Sequence, residues 1–484
     1  MLQNGYQPIA LMGPTYQGRA DSVDSERCIN MYPEASGSPN AKVPGVLLPT
    51  PGYTTFSASV GLAGGVRCLF ASSLGRVFGC TADAVYEVLS TGERVTIGTI
   101  ASQSGRVRMA DIGLELIVAD GGSGKGYTYG FSSLVFAPIS DVAYPGGDTI
   151  EFLDQMFFQA RPGTQEIYNS GLRDGMTWNG LTFATAEGFP DDVIGILVNN
   201  REIWAFGTRS SEVFADSGDP MQPLQRITGA VTEIGLSAKD SVQKLGGAVY
   251  WLGADQSGGL SVWRSQGLIP QQISNPAIAY LIARDIDPTA ATSWVYSEEG
   301  HQFYGLNLSD TTLVFDVSTG LWHERRSWDA STGTWSRHVA EHIVYAFGKV
   351  IAGSYAADRI IHLSLDTYAD DGATLRRERR FPPNDAIRLR AIHNWIDVEM
   401  EYGRTPLLSG LGSDPKIVLS YSSDGGKTWG HETMHRIGVQ GQYRMRVRRS
   451  RLSTARDCRY MWACTDPVPV VLVAAYLSVK VLGP

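Results

Sequence analysis

The 484-residue chain is 43% hydrophobic and 19% charged, with a formal net charge of −8, which excludes a disordered or fibrous protein and fits two or three globular domains. The charge is unevenly spread: residues 376–459 carry 17 Lys+Arg against 9 Asp+Glu, and the other 400 residues carry 24 against 40. A body this acidic repels nucleic acid, whereas the basic block suits an acidic partner.

No run approaches the roughly 18 apolar residues of a membrane-spanning helix. The first residues lack the basic start of a secretory signal. Five cysteines (Cys28, Cys68, Cys80, Cys458, Cys464) form no CxxC pair, which argues against a disulfide framework or a cysteine zinc site. Reduced thiols in a protein made in a cytoplasm are expected. Short apolar runs bounded by Gly, Asp, Ser and Asn recur throughout, an all-β signature.

Residues 1–56 read as an extended N-terminal arm. Prolines 33, 39, 44, 49 and 51 keep it out of helices and central strands. Ile29, Met31 and Tyr32 give it apolar surface to pack on the C-terminal domain or a neighbouring subunit.

Residues 57–375 hold a loose repeat of two apolar strands and polar turns. Its units start near Val66, Val107, Thr149, Val193, Ser241, Trp294 and Val339, with spacings of 41 to 53 residues. That is the period of a β-propeller blade. Seven blades are expected, or six with one unit split or displaced; an array of β-sandwiches is the alternative fold. The rim loops show no Gly-x-Ser-x-Gly elbow, and Gly121–Gly126 lacks the phosphate-loop spacing. His338 and His342 fall on an expected strand, where four residues span about 13 Å. Ligands that share a zinc ion lie about 2.1 Å from it.

The charge switches sign at Arg376–Pro383, and residues 376–484 read as antiparallel strands of a C-terminal β-sandwich serving as a platform or assembly domain. Within it, Ser422-x-Asp424-x-Gly426-x-Thr428-Trp429 has the form of an Asp-box: a structural turn in which Asp424 accepts hydrogen bonds from the loop and Trp429 packs beneath. His431-Glu432-x-x-His435 spells a zincin motif, but that motif needs a helix, and the flanking glycines and strands put it on a strand. We therefore expect no catalytic residue, metal or cofactor. A sialidase-like propeller glycosidase or carbohydrate binder, and a zinc hydrolase using His431, Glu432 and His435, are the competing functions. Arg444, Arg446 and Arg448 alternate onto one expected strand face, and Arg449 and Arg451 add charge. This is a candidate assembly interface, with a phosphate-contacting stripe or a solvated edge as alternatives.

The order of parts is a Pro-rich arm with Ile29-Asn30-Met31 and Pro51-Gly52, divergent propeller units, Leu419–Gly426, Trp429-Gly430 and then the basic strand. It resembles the packaged-DNA stabilisation proteins, or tail hubs (nozzles), of short-tailed bacteriophages. The resemblance implies a non-enzymatic virion tail protein assembled in the host bacterial cytoplasm. It would form a homo-hexamer below the portal-adaptor ring and retain packaged DNA. It would also line the channel for ejection and anchor tail spikes or fibres, with a tail needle as a further partner. Genomic DNA would pass its lumen without sequence-specific contact.

Overall fold

The computed structural model describes residues 6–9, 11–19, 24–219, 221–255, 257–382, 389–405 and 409–482. Seven innermost strands form a closed ring: Val66–Ala71, Val107–Asp111, Glu151–Leu153, Gly195–Asn199, Gln243–Leu245, Thr292–Glu298 and Ala340–Ala346. Each touches the next, and the last touches the first. Six of the blades are separate four-stranded sheets. The other, blade 6, is the four strands from Thr292–Glu298 to Leu321–Asp329, and it continues into an eleven-stranded sheet. The all-β fold of propeller plus sandwich is thus as expected. The choice between seven units and six resolves into six free-standing blades and one shared with the C-terminal domain.

Period-two patterning explains the stacking of blades. In Glu115–Asp120, Leu116 and Val118 face blade 1 beside Phe78, while Ile117 and Ala119 face blade 3 beside Phe157 and Trp178. Both faces are buried, so the strand's interior, residues 116–119, is apolar throughout rather than alternating with polar residues. Tight turns join such strands. Asn200 and Arg201, both at positive φ (51° and 63°), link two strands of blade 4, the conformation that a two-residue hairpin of matching twist requires.

The N-terminal residues are distributed over three sheets. Gly52–Ser57 pairs with Ile360–Ser364 as the outer strand of blade 7, so chain segments some 300 residues apart close the ring. Ser25–Ile29 lies between the outer strand of blade 6 and Arg377–Arg380, pairing parallel to one and antiparallel to the other. Asn30, at φ 55°, then turns the chain into Met31–Ala35, which belongs to the opposing seven-stranded sheet. That sheet also holds Ala391–Met400, Leu472–Val481 and Val447–Ser450. Between the two sheets of the sandwich lies one core that includes Met31, Leu47, Val398, Leu419, Trp462 and Leu477.

Candidate assembly site

A dense cluster of buried charge forms the seam where blade 6 meets the sandwich. Ser25–Ile29 places Arg27 beside Glu324 of blade 6, with Arg27 Nε donating to Oε1 at 2.9 Å and a second, closer contact from Nη2. Arg326 adds a cation 3.7 Å from Glu324. Burial alone would push the Glu324 carboxyl up, but Arg27, then Arg326, hold it below its ordinary value. On the sandwich side Arg379 pairs with Glu26 and donates to the Pro14 and Arg27 carbonyls, each at 3.2 Å. Glu378 lies between Arg376 and Arg380, at 3.1 and 2.9 Å. Asn30 completes the seam: its amide donates to the Arg326 and Arg376 carbonyls and its Oδ1 accepts from Arg326 N. Charges buried this deeply persist only when paired and hydrogen-bonded, so the seam fixes the two domains against each other. In the sequence Asn30 stands in the Ile29-Asn30-Met31 motif and Arg376–Arg380 in the charge switch, but neither signals these pairings. Their trace there is two short strands dominated by polar residues, SERCI in Ser25–Ile29 and RERR in Arg377–Arg380.

A second buried group lies beside the seam. Asp370 precedes the first sandwich strand, and its Oδ1 has no hydrogen-bond partner. Burial pushes its carboxyl up to about 7 against the pull of Arg377 and Arg359. The unfolded chain releases this proton near pH 3.8 and the folded chain near 7. Stability therefore falls as pH rises through that window. Asp370→Asn removes the slope, and chemical denaturation at pH 8 should find it about 2–4 kcal/mol more stable than wild type.

Along the propeller axis is a cavity of about 560 Å³ lined by all seven inner strands. Paired charges surround one mouth, where an adjoining pocket of about 310 Å³ opens: Arg106 and Arg108 lie 3.5 and 3.0 Å from Asp240, and Arg337 lies 2.9 Å from Glu341. Burial, then Arg106, Arg108 and Arg337, hold His342 far below its ordinary value, so it stays a neutral imidazole. His338 is buried elsewhere in blade 7, with its Nδ1 accepting from Ala340 N at 3.3 Å.

In the stretch 416–464, Ser422 Oγ donates to Asp424 Oδ1 at 2.6 Å. Thr428 donates to the same carboxylate through its amide at 3.0 Å and its hydroxyl at 2.6 Å. These donors hold Asp424 well below the usual carboxylate range. Gly425 and Gly426 take φ of 79° and 94°, and the Trp429 ring stacks under Arg380 at 5.3 Å. His431, Glu432 and His435 lie on the strand Gly430–Arg436, not on a helix. His435 Nε2 is 2.9 Å from the Thr433 hydroxyl. Among the described residues no cluster of His, Cys, Asp and Glu could hold a metal ion.

The arginines do not share one face. The chain enters a strand only at Val447–Ser450, so the expected alternation from Tyr443 onward breaks. Arg446 and Arg448 converge on Asp397, at 2.6 and 2.9 Å, and Arg448 also stacks on Trp395 at 3.9 Å. Arg449 is buried; it donates to the Leu419 carbonyl at 2.5 Å and lies over Tyr421. Arg444 and Arg451 remain exposed.

No helix among the described residues is long and apolar enough to cross a membrane. No curated protein matches the chain. Among solved structures, the extracellular domain of a hybrid two-component system from B. thetaiotaomicron aligns at 9% identity and TM-score 0.43, over 67% of this chain and 41% of its own. The extracellular domain of a one-component system from the same organism aligns at 10% and 0.44, over 84% and 49%. An exo-β-1,3-galactanase from Phanerochaete chrysosporium gives 10% and 0.28, over 89% and 100%. The chain spans less than half the length of the first two, and likenesses this distant say nothing about function. The family comparison is specific: the bacteriophage P22 Gp10 β-propeller matches residues 8–368, and the P22 Gp10 β-sandwich matches residues 367–480. The chain therefore belongs to the bacteriophage P22 Gp10 family of structural phage proteins, the tail hub or nozzle family of short-tailed phages.

Proposed function

We propose that the chain forms a hexameric tail hub that docks below the portal-adaptor ring, retains packaged DNA, provides the channel for its ejection and anchors tail spikes or fibres. The observation that carries this reading is the family match, which runs through propeller and sandwich in order from residue 8 to residue 480. The propeller axis gives further support. A duplex whose major groove alone is about 12 Å wide does not fit a 560 Å³ cavity with a salt-bridged mouth. A DNA channel would therefore have to lie between copies, which calls for a ring. An acidic body lining such a lumen would let DNA slide without sticking.

In this reading residues 1–56 are the arm, 57–375 the propeller and 376–484 the platform domain. Arg444 and Arg451 are the arginines free to serve an interface, because Arg446, Arg448 and Arg449 are engaged within the chain. Co-sedimentation with the adaptor ring tests the assignment: the chain is expected in the ring fraction, and a chain that stays free contradicts it.

A further inference from the structure

Two uncommitted surfaces of opposite character lie on opposite sides of the molecule. On blade 3 the outer strand Asp174–Thr185 loses register with its neighbour between Tyr168 and Ser170, and residues 179–182 bulge out of the sheet. Leu181 at the tip is 90% exposed. Asn179 holds the bulge, its Oδ1 accepting from Leu181 N at 2.9 Å and its carbonyl from the Thr182 hydroxyl at 3.3 Å. Leu172 and Met221, 54% and 65% exposed, line a cleft of about 300 Å³ beside it. Large apolar side chains gathered and exposed in this way mark a contact surface. Its surroundings are acidic: residues 151–232, spanning blades 3 and 4, carry 11 Asp+Glu against 5 Lys+Arg.

On the sandwich a groove of about 500 Å³ separates the end of Ala391–Met400 from the segment Tyr443–Arg446. Val398, Met400, Tyr402 and Met445 line it, and Tyr443 is 68% exposed on its rim. The carboxylates beside it are already neutralised, Asp397 by Arg446 and Arg448, and Glu399 by Lys42. Arg444, next to Tyr443, is exposed. The groove thus offers the part-exposed Tyr402, Met445 and Tyr443 as apolar surface, with Arg444 beside it, complementary in charge to an apolar knob in acidic surroundings.

The sandwich is fused to blade 6. Blade 3 lies three blades away in one direction and four in the other, so bulge and groove do not meet within one chain. One such surface on each side makes a heterologous, head-to-tail contact, the kind that generates a ring when the rotation closes. We propose that the 179–182 bulge of one copy seats in the Val398–Tyr443 groove of the next, with Arg444 facing the acidic rim of blades 3 and 4. This proposal rests on the ring reading above and names its contact.

Sedimentation velocity of the full chain, with and without the adaptor ring, tests it. The variants are Leu181→Asp/Met221→Asp on the knob and Tyr443→Asp/Arg444→Glu on the groove. All four positions are exposed, so melting curves should match wild type. Each variant alone should need about 100-fold more protein than wild type to assemble, the loss expected for apolar side chains no longer buried. An equimolar mixture keeps one working knob and one working groove, so it should stop at a dimer. Variants that assemble like wild type, or a mixture that grows into rings, overturn the assignment while leaving the ring intact. A wild-type chain that stays monomeric under both conditions overturns the ring reading and this contact with it.

Discussion

Glu324→Ala should destabilise the chain by about 3–5 kcal/mol, the range for breaking a buried ion pair and leaving its partner unpaired. Arg27 loses its carboxylate, and Arg326 loses one of its two anions, keeping only Asp310 at 3.6 Å. Arg27 cannot move to water without parting Ser25–Ile29 from blade 6. The deficit should be full above pH 4.5, where the carboxylate is charged in the unfolded chain too. It should shrink as pH falls through the lowered folded value. A paired replacement, Arg27→Met with Glu324→Leu, should recover most of the loss, because an apolar pair carries no desolvation cost. Guanidinium titrations of the single and double variants measure this. A Glu324→Ala chain as stable as wild type at neutral pH would mean that the seam does not hold the domains together.

Deleting residues 1–57 should abolish cooperative folding rather than trim a tail. The deletion takes the outer strand from blade 7, which closes the ring. It also takes Ser25–Ile29, which joins blade 6 to the sandwich, and three strands of the opposing sheet, Tyr6–Ile9, Met31–Ala35 and Gly45–Pro49. Cys28, Ile29, Met31 and Leu47 each have 0% exposure. Replacing even one such side chain costs about 2–5 kcal/mol, and typical domains are stable by only about 5–15 kcal/mol. Scanning calorimetry of the truncated chain should show no cooperative transition. A sharp transition with retained β-sheet signal would contradict the role given to these strands.

The legible parts of the fold were those set by local pattern. The inner strands start within a few residues of the repeat starts read from the sequence, because a blade strand buried on both faces is a short apolar run at a regular interval. The seam was not legible, since its contacts join residues about 300 apart, such as Arg27 and Glu324. Nothing local in Ser25–Ile29 says that it will lie between a propeller blade and a sandwich strand. The basic segment misled for a different reason. Arg444 to Arg449 alternate in spelling, but the strand begins at Val447. The regular two-residue periodicity therefore does not extend back to Arg444, and adjacent Arg448 and Arg449 take opposite faces. The zincin spelling lost its meaning once its backbone was a strand, because His431 and His435 then lie about 13 Å apart along the chain.

Cryo-electron microscopy of the chain docked on the adaptor ring is the most direct test of the central claim. The account predicts six copies around a continuous lumen wide enough for a duplex, with every propeller axis closed and each sandwich against the propeller of its neighbour. A chain bound as isolated monomers, or duplex density threading a single propeller, would contradict it.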